Sequence, residues 1–425
     1  MLRKSETRTV LILSLFFLSL AAPRAVFADV VTDWNEMLSM ALRVAGGGPG
    51  AQPRPAAIVS AAVFDAVNGI DRKYEPYFVK EWAPGGARQE AAAAQAAYTA
   101  LVNLYPMQKI MFDRLLAASL ESIPGSPGNS QSIARGRAWG EAVALAILEW
   151  RSHDGFNAVV PPYFGEMTPG VWRSVPDGTL PAANPERRFM LPFAMTDPAQ
   201  FRPGPPPALT SLEYAADVNE VKAKGRATGS TRTDEETEIA RLWHAFVTAD
   251  ENDMARSYVV PGAELVDTAR MFALLNISIA DAGIYVVDAK YTYNLWRPYH
   301  AIRLADTDGN PATDPDLAWT SLIQPTPNHQ EYPSAHSSVV GSGLRVLMNL
   351  LGDDHEVVVK SPGYPSFTYT YPSFSAAAEG LQNSRVWGGL HFRTACRIGG
   401  RDGFALADYI VGNFMTPRKS RGRHD

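Results

Sequence analysis

A long, mostly apolar stretch from Glu264 to Lys290 reads as one helix, and most of the other patterned segments keep the same 3.6-residue rhythm. Pro55 sits at a first helical position, with Val59, Val63, Ala66, Val67 and Ile70 at helical spacing and Gly69 near the end. The Ala-rich run Arg88 to Tyr105 stops at Pro106, and Met107 to Ile123 and Ser130 to Trp150 read the same way. Thr233 to Glu236 forms a capping box that opens a helix through Trp243, and Ser337 to Leu351 closes at Gly352. Clean two-residue alternation is scarce. The pattern predicts an all-α chain.

Composition narrows the function classes. At 425 residues, 46% of them hydrophobic, the chain is long enough for one to three domains around a large core. A net charge of −5 argues against nucleic acid as the main partner, because binding to phosphate backbones needs an excess of Lys and Arg. A single cysteine, Cys396, excludes an intrachain disulfide framework and a Cys-rich zinc site. Residues 1–28 read as a cleavable signal peptide. Arg3, Lys4 and Arg8 precede an apolar run from Val10 to Ala22, and small residues stand before a cut after Ala28. The expected mature protein is secreted or periplasmic, carries a charge of about −8 and starts at Asp29. No stretch beyond the signal reads as a membrane span. Pro161 to Pro207, rich in Pro, Gly and polar residues, reads as a linker or long surface loop, with the possibility of lining a pocket mouth. It divides an N-terminal helical region, 29–210, from a C-terminal helical domain, 211–425, and the two are expected to pack as one body.

Three segments of the C-terminal half carry chemistry. Lys290 and Arg297 stand seven apart, the latter followed by Pro298; Pro333-Ser334-Ala335-His336 opens a helix; Arg385 and His391 stand six apart, with Gly389 between them. Together they supply three cations, a hydroxyl, a helix N-terminus and two imidazoles. Arg forks, a Lys point charge and free N–H groups at a helix start are what a tetrahedral oxyanion requires. Elsewhere, Asp306, Asp308, Asn310, Asp314 and Asp316 have the flavour of a calcium loop but lack its bidentate Glu, and read as a hydrogen-bonded turn. His153, His244, His300, His355 and His424 show no spacing that converges on a metal.

The order K-x6-R-P, P-S-x-H, S-R-x3-G-x-H resembles the vanadium-dependent haloperoxidases, which share their site with the type 2 phosphatidic acid phosphatases. Val30 to Asn35, Ala62 to Asn68 and Arg232 to Ala240 are similar to secreted bacterial members. The resemblance implies a helical body with the oxyanion site at one end of a core four-helix bundle. It implies vanadate as cofactor, with His391 as the axial metal ligand and Lys290, Arg297 and Arg385 balancing charge on the vanadate oxygens. Ser334 and the Ala335 N–H are implied as hydrogen-bond donors, and His336 as the group that handles protons. Hydrogen peroxide, a halide and a small organic acceptor are the implied partners, with Lys290 polarising the bound peroxide. His329, seven before His336, falls where the family places a residue beside the halide; a histidine there goes with bromide or iodide, while the plain alternative is a polar turn.

Two positions depart from the family pattern. Ala335 replaces the usual glycine, which keeps its N–H donor if φ stays negative. Ala395 stands where an acid often orients the ligand histidine, so His391 needs another partner for its second ring nitrogen, such as a backbone carbonyl. The runner-up activity is a phosphatase on the same scaffold, with His391 attacking phosphorus and His336 protonating the leaving oxygen. Oligomeric state is not legible.

Overall fold

In a computed structural model, residues 29–46, 50–125, 130–175 and 177–419 are described, so the signal-peptide reading lies outside the described residues. Five helices build the N-terminal part: α1 (Val30–Ala45), α2 (Pro53–Asp71), α3 (Gln89–Leu104), α4 (Lys109–Glu121) and α5 (Ser130–Ser152). Eight follow: α6 (Leu212–Lys224), α7 (Asp234–Ala245), α8 (Thr248–Arg256), α9 (Leu265–Tyr293), α10 (Pro298–Arg303), α11 (Ala335–Leu351), α12 (Phe374–Trp387) and α13 (Arg393–Asn413). A short antiparallel pair, β1 (Val357–Val359) and β2 (Tyr369–Tyr371), joins α11 to α12. The all-α prediction stands.

Local chemistry explains the helix starts. The Asp29 carboxylate accepts from Thr32 N at 2.9 Å to cap α1. The Thr233/Glu236 capping box forms as the sequence predicts, with reciprocal bonds of 3.1 and 2.8 Å.

α9 is the central strut. It packs against α2, α11 and α13, while α3 and α5 pack on α2. One hydrophobic core runs without a break across residue 210, joining Val67 of α2, Leu101 of α3 and Ile147 of α5 to Leu275, Leu347 and Leu406 of α9, α11 and α13. A buried polar seam stitches the same interface. Asn252 of α8 donates to Asn276 of α9 at 2.8 Å, Asn276 donates to Ser60 of α2 at 2.9 Å, and Asn35 of α1 donates to Asn252 at 2.7 Å. At 29 residues α9 is long and apolar enough to cross a membrane, contrary to the sequence reading, but 89% of its most apolar window is buried among other helices. The length that suggests a span here serves a protein core.

The 161–207 segment runs largely over the surface, as its reading as a long loop expects, but one stretch of it is tied to the bundle. The Asp281 carboxylate on α9 accepts from the backbone N–H groups of Phe193, Ala194 and Met195 at 2.6–2.8 Å, and Arg151 donates to the carbonyls of Leu191 and Pro192. Residues 191–195 are docked on the bundle because their backbone polar groups are satisfied there by side chains instead of by water. The Asp306–Asp316 stretch is the hydrogen-bonded turn expected, with Asp308 accepting from Asn310 N and the Thr313 hydroxyl.

Candidate active site

α9, α11, α12 and α13 pack as a four-helix group. Lys290 lies at the C-terminal end of α9, Ser334 caps α11, Arg385 lies in the last turn of α12 and His391 just precedes α13. Four chain ends therefore meet at one end of the group, where the resemblance places the site. Gly389 makes the α12–α13 turn possible. Its φ is +75°, and a Cβ there would sit 2.5 Å from the Gly225 carbonyl oxygen.

A cavity of about 480 Å³ opens there, lined by Lys290, His329, Ala335, His336, Arg385 and His391 but not by Ser334. Arg297 stands directly behind it, bonded to both His329 and His391. The 161–207 segment contributes Ala183, Asn184 and Arg187 to the lining, so the pocket-mouth reading of that segment is the one realised. His244 of α7 lines the cavity too. No spacing in the sequence marks it, since it lies on an element remote in sequence from all three motifs.

The cations differ in what they already hold. Lys290 is buried, and its Nζ donates to the carbonyls of Gln330, Glu331 and Pro333 at 2.7, 3.0 and 2.6 Å. Three acceptors call for three N–H groups, hence an ammonium, even though burial, followed by the Arg297 charge, pulls its pKa well down. Its contacts hold the loop that presents Ser334, while its charge stays in the site. Arg297 donates to the carbonyls of His329 and Leu390 and approaches His391 Nε2 at 3.1 Å and His329 Nδ1 at 2.9 Å. Burial lowers it to about 9, above neutrality, so the charge remains. Arg385 is different. It is 1% exposed, and Nε, Nη1 and Nη2 have no hydrogen-bond partner. Burial pulls it to about 10, which still leaves a cation.

Ser334 is fully buried and accepts at Oγ from Ser337 N and the Ser337 hydroxyl, so its own proton is free to donate. Ala335 opens α11 and is absent from the positive-φ residues, so its N–H is one of the free donors of the helix start. The His336 Nε2 atom is buried and unpartnered. Burial, aided by neighbouring cations, holds His329, His336 and His391 well below the usual imidazole range, so all three are neutral near pH 7.

The partner of His391 corrects the sequence reading. The acceptor for Nδ1 is the carboxylate of Glu331 at 3.0 Å, not a backbone carbonyl, and the same oxygen accepts from Phe392 N at 2.9 Å. Burial pushes the Glu331 carboxyl up to about 8, against the pull of Lys290 and Arg297. With Nδ1–H committed to Glu331, the His391 lone pair lies on Nε2. Glu331 sits between His329 and Pro333, so the acid missing after the ligand histidine is supplied by another loop.

Buried unpartnered donors on Arg385, a free hydroxyl proton, a helix N-terminus and an imidazole lone pair that at present accepts from Arg297 fit a tetrahedral oxyanion such as vanadate. The fold is a helical bundle, and the groups gathered at one end of it are of the types an oxyanion site needs.

Comparisons with known proteins narrow that class. Residues 270–418 match the family model described as the VCPO second helical-bundle domain. The vanadium chloroperoxidase of Curvularia inaequalis is 33% identical over 106 residues, covering 23% of this chain and 16% of that protein's length. Among solved structures, a bacterial vanadium-dependent iodoperoxidase superposes with a TM-score of 0.74 at 24% identity, covering 92% of this chain and 97% of its own. A holo-type bacterial vanadium-dependent chloroperoxidase gives 0.62 at 16% identity, covering 92% and 93%. Residues 270–418 therefore resemble the second helical-bundle domain of the vanadium chloroperoxidases, and the chain as a whole shares the fold of the solved vanadium-dependent haloperoxidases.

Proposed function

We propose that this protein is a vanadate-dependent haloperoxidase that uses hydrogen peroxide to oxidise bromide or iodide to a hypohalous acid equivalent, which then acts on a small organic acceptor. The observation that carries the reading is Arg385, a buried guanidinium whose Nε, Nη1 and Nη2 have no hydrogen-bond partner and which lines the same cavity as His391. Burying such a group without a partner costs several kcal/mol on an order-of-magnitude scale, so a fold keeps it for a ligand that repays it.

His391 Nε2 would hold the metal, fixed in direction by Glu331. Arg385, Ser334 and the Ala335 N–H would bind its oxygens, with Lys290 and Arg297 adding charge. Bound vanadate supplies Lewis-acid activation of peroxide at a constant oxidation state. His336, neutral and unpartnered at Nε2, takes and returns the peroxide proton. His329, held by Arg297 on the cavity wall, is the group beside the halide, and the likeness to an iodoperoxidase supports iodide or bromide. Export as a mature chain starting at Asp29 belongs to the same reading, and intact mass of the protein isolated from outside the cytoplasm tests it.

The main test reconstitutes purified protein with vanadate and follows peroxide-dependent iodide and bromide oxidation beside phosphate-ester hydrolysis. Halide oxidation that needs vanadate and is lost in His391→Ala is the expected result. Ester hydrolysis inhibited by vanadate, without halide oxidation, would overturn the proposal.

A further inference from the structure

Glu251 of α8 is a group that the oxyanion chemistry leaves unused. Its residue is 0% exposed, it lines the same cavity, and both carboxyl oxygens lack a hydrogen-bond partner. Its charged neighbour in sequence, Asp250, is already paired with Arg43 at 2.7 Å. No cation is paired with Glu251 among the described residues. Phe246, Val286, Val339 and Val340 are among the apolar residues that line the same cavity.

The helix α11 sets the geometry. A Cβ on Gly343 would collide with Glu251 Oε1, so the carboxyl rests against that glycine. His336 and Gly343 are seven residues apart on one helix, hence on the same face and about 10 Å apart along the axis, with Val339 and Val340 between them. The cavity thus has the oxyanion groups at one end, an apolar wall along α11 and a lone carboxyl at the other.

We propose that this cavity binds the organic acceptor as an uncharged molecule of one or two rings bearing a hydroxyl or carbonyl, its polar group paired with the Glu251 carboxyl and its ring lying along α11 toward His336. The span and the roughly 480 Å³ volume suit such a molecule. An unpaired carboxyl in an apolar wall is stable only as the neutral acid, and a neutral acid both donates to and accepts from a hydroxyl. That the bound molecule is the one halogenated rests on the haloperoxidase reading; that it binds does not.

The test is therefore a binding measurement without vanadate, peroxide or halide. Ligand-observed ¹⁹F NMR titrates 4-fluorophenol and 4-fluorotoluene into the wild type, Glu251→Gln and Glu251→Leu, with circular dichroism checking each fold. The ratio of the two dissociation constants cancels general hydrophobicity. The expected result is that the preference for the phenol over the toluene falls at least fivefold in Glu251→Leu and stays within twofold of wild type in Glu251→Gln. If Glu251→Leu does not fold, Gly343→Ala, which crowds the carboxyl, is expected to show the same fall. An equal ratio in all variants, or no binding of either probe to the wild type, would overturn the inference. A parallel vanadate titration separates the two ideas: vanadate bound without the probes sinks this one alone, and probes bound without vanadate sink the haloperoxidase reading alone.

Discussion

Glu331 shows how a residue of the candidate site can be silent in sequence. Between His329 and Pro333 it looks like part of a polar turn, and only folding places its carboxylate 3.0 Å from His391 Nδ1. Replacing it with Ala removes the group that fixes the tautomer and direction of that ring. Partners of this kind are worth about 10–100-fold in metal affinity, so Glu331→Ala is expected to weaken vanadate binding by that factor, read by ⁵¹V NMR titration. His244 is silent for the same reason. It is held at about 4 by burial and by Arg385 of α12, and it shares the cavity with His336 of α11 and Glu251 of α8. The fold favours its neutral form, so its contribution is complete above the unfolded value near 6.5 and is lost as pH falls through 4. The loss amounts to about 3 kcal/mol at most. Urea unfolding at pH 7 and pH 4 is expected to show a smaller acid-induced drop in His244→Gln than in the wild type; equal drops would refute the assignment.

At the scale of elements, helix starts and stops were largely written in local chemistry. The Thr233/Glu236 box opens its helix where the pattern places it, while the helix read from Pro55 starts two residues earlier, at Pro53. The 161–207 segment is the opposite case. It lacks periodicity, so its sequence says little, and its path is set by long-range acceptors. Asp281 alone satisfies three of its N–H groups from 86–88 residues away. Asp281→Ala is expected to cost about 3–5 kcal/mol and to raise hydrogen exchange at Phe193, Ala194 and Met195 first, measured by exchange mass spectrometry. Unchanged exchange there would mean that other contacts hold the segment.

Across the whole molecule, the cations of the site oppose folding until an oxyanion repays them. Arg385→Met removes a buried, unpartnered guanidinium and fills its space with an apolar chain of similar length. Without oxyanion the variant is expected to be as stable as the wild type or more so, by about 1–3 kcal/mol. Vanadate at 100 times its Kd is expected to add about 2.7 kcal/mol to the wild type, a Tm rise of a few degrees, and little to the variant. Differential scanning fluorimetry with and without vanadate checks both signs, and a variant that vanadate stabilises fully would remove Arg385 from the site.

The sequence by itself determined the helical class, seven of the helices and the residue types of a candidate oxyanion site, because periodicity, capping and short motifs act within one or two turns. Lys290, Arg297, Ser334, His336, Arg385 and His391 were legible for that reason. The tertiary structure alone decided which donors are spent and which are free: Lys290 on three carbonyls, Arg385 on none, and His391 on Glu331. It also brought His244 and Glu251 into the same cavity. Hydrogen-bond satisfaction and burial depend on neighbours tens to hundreds of residues away, and no local pattern encodes them.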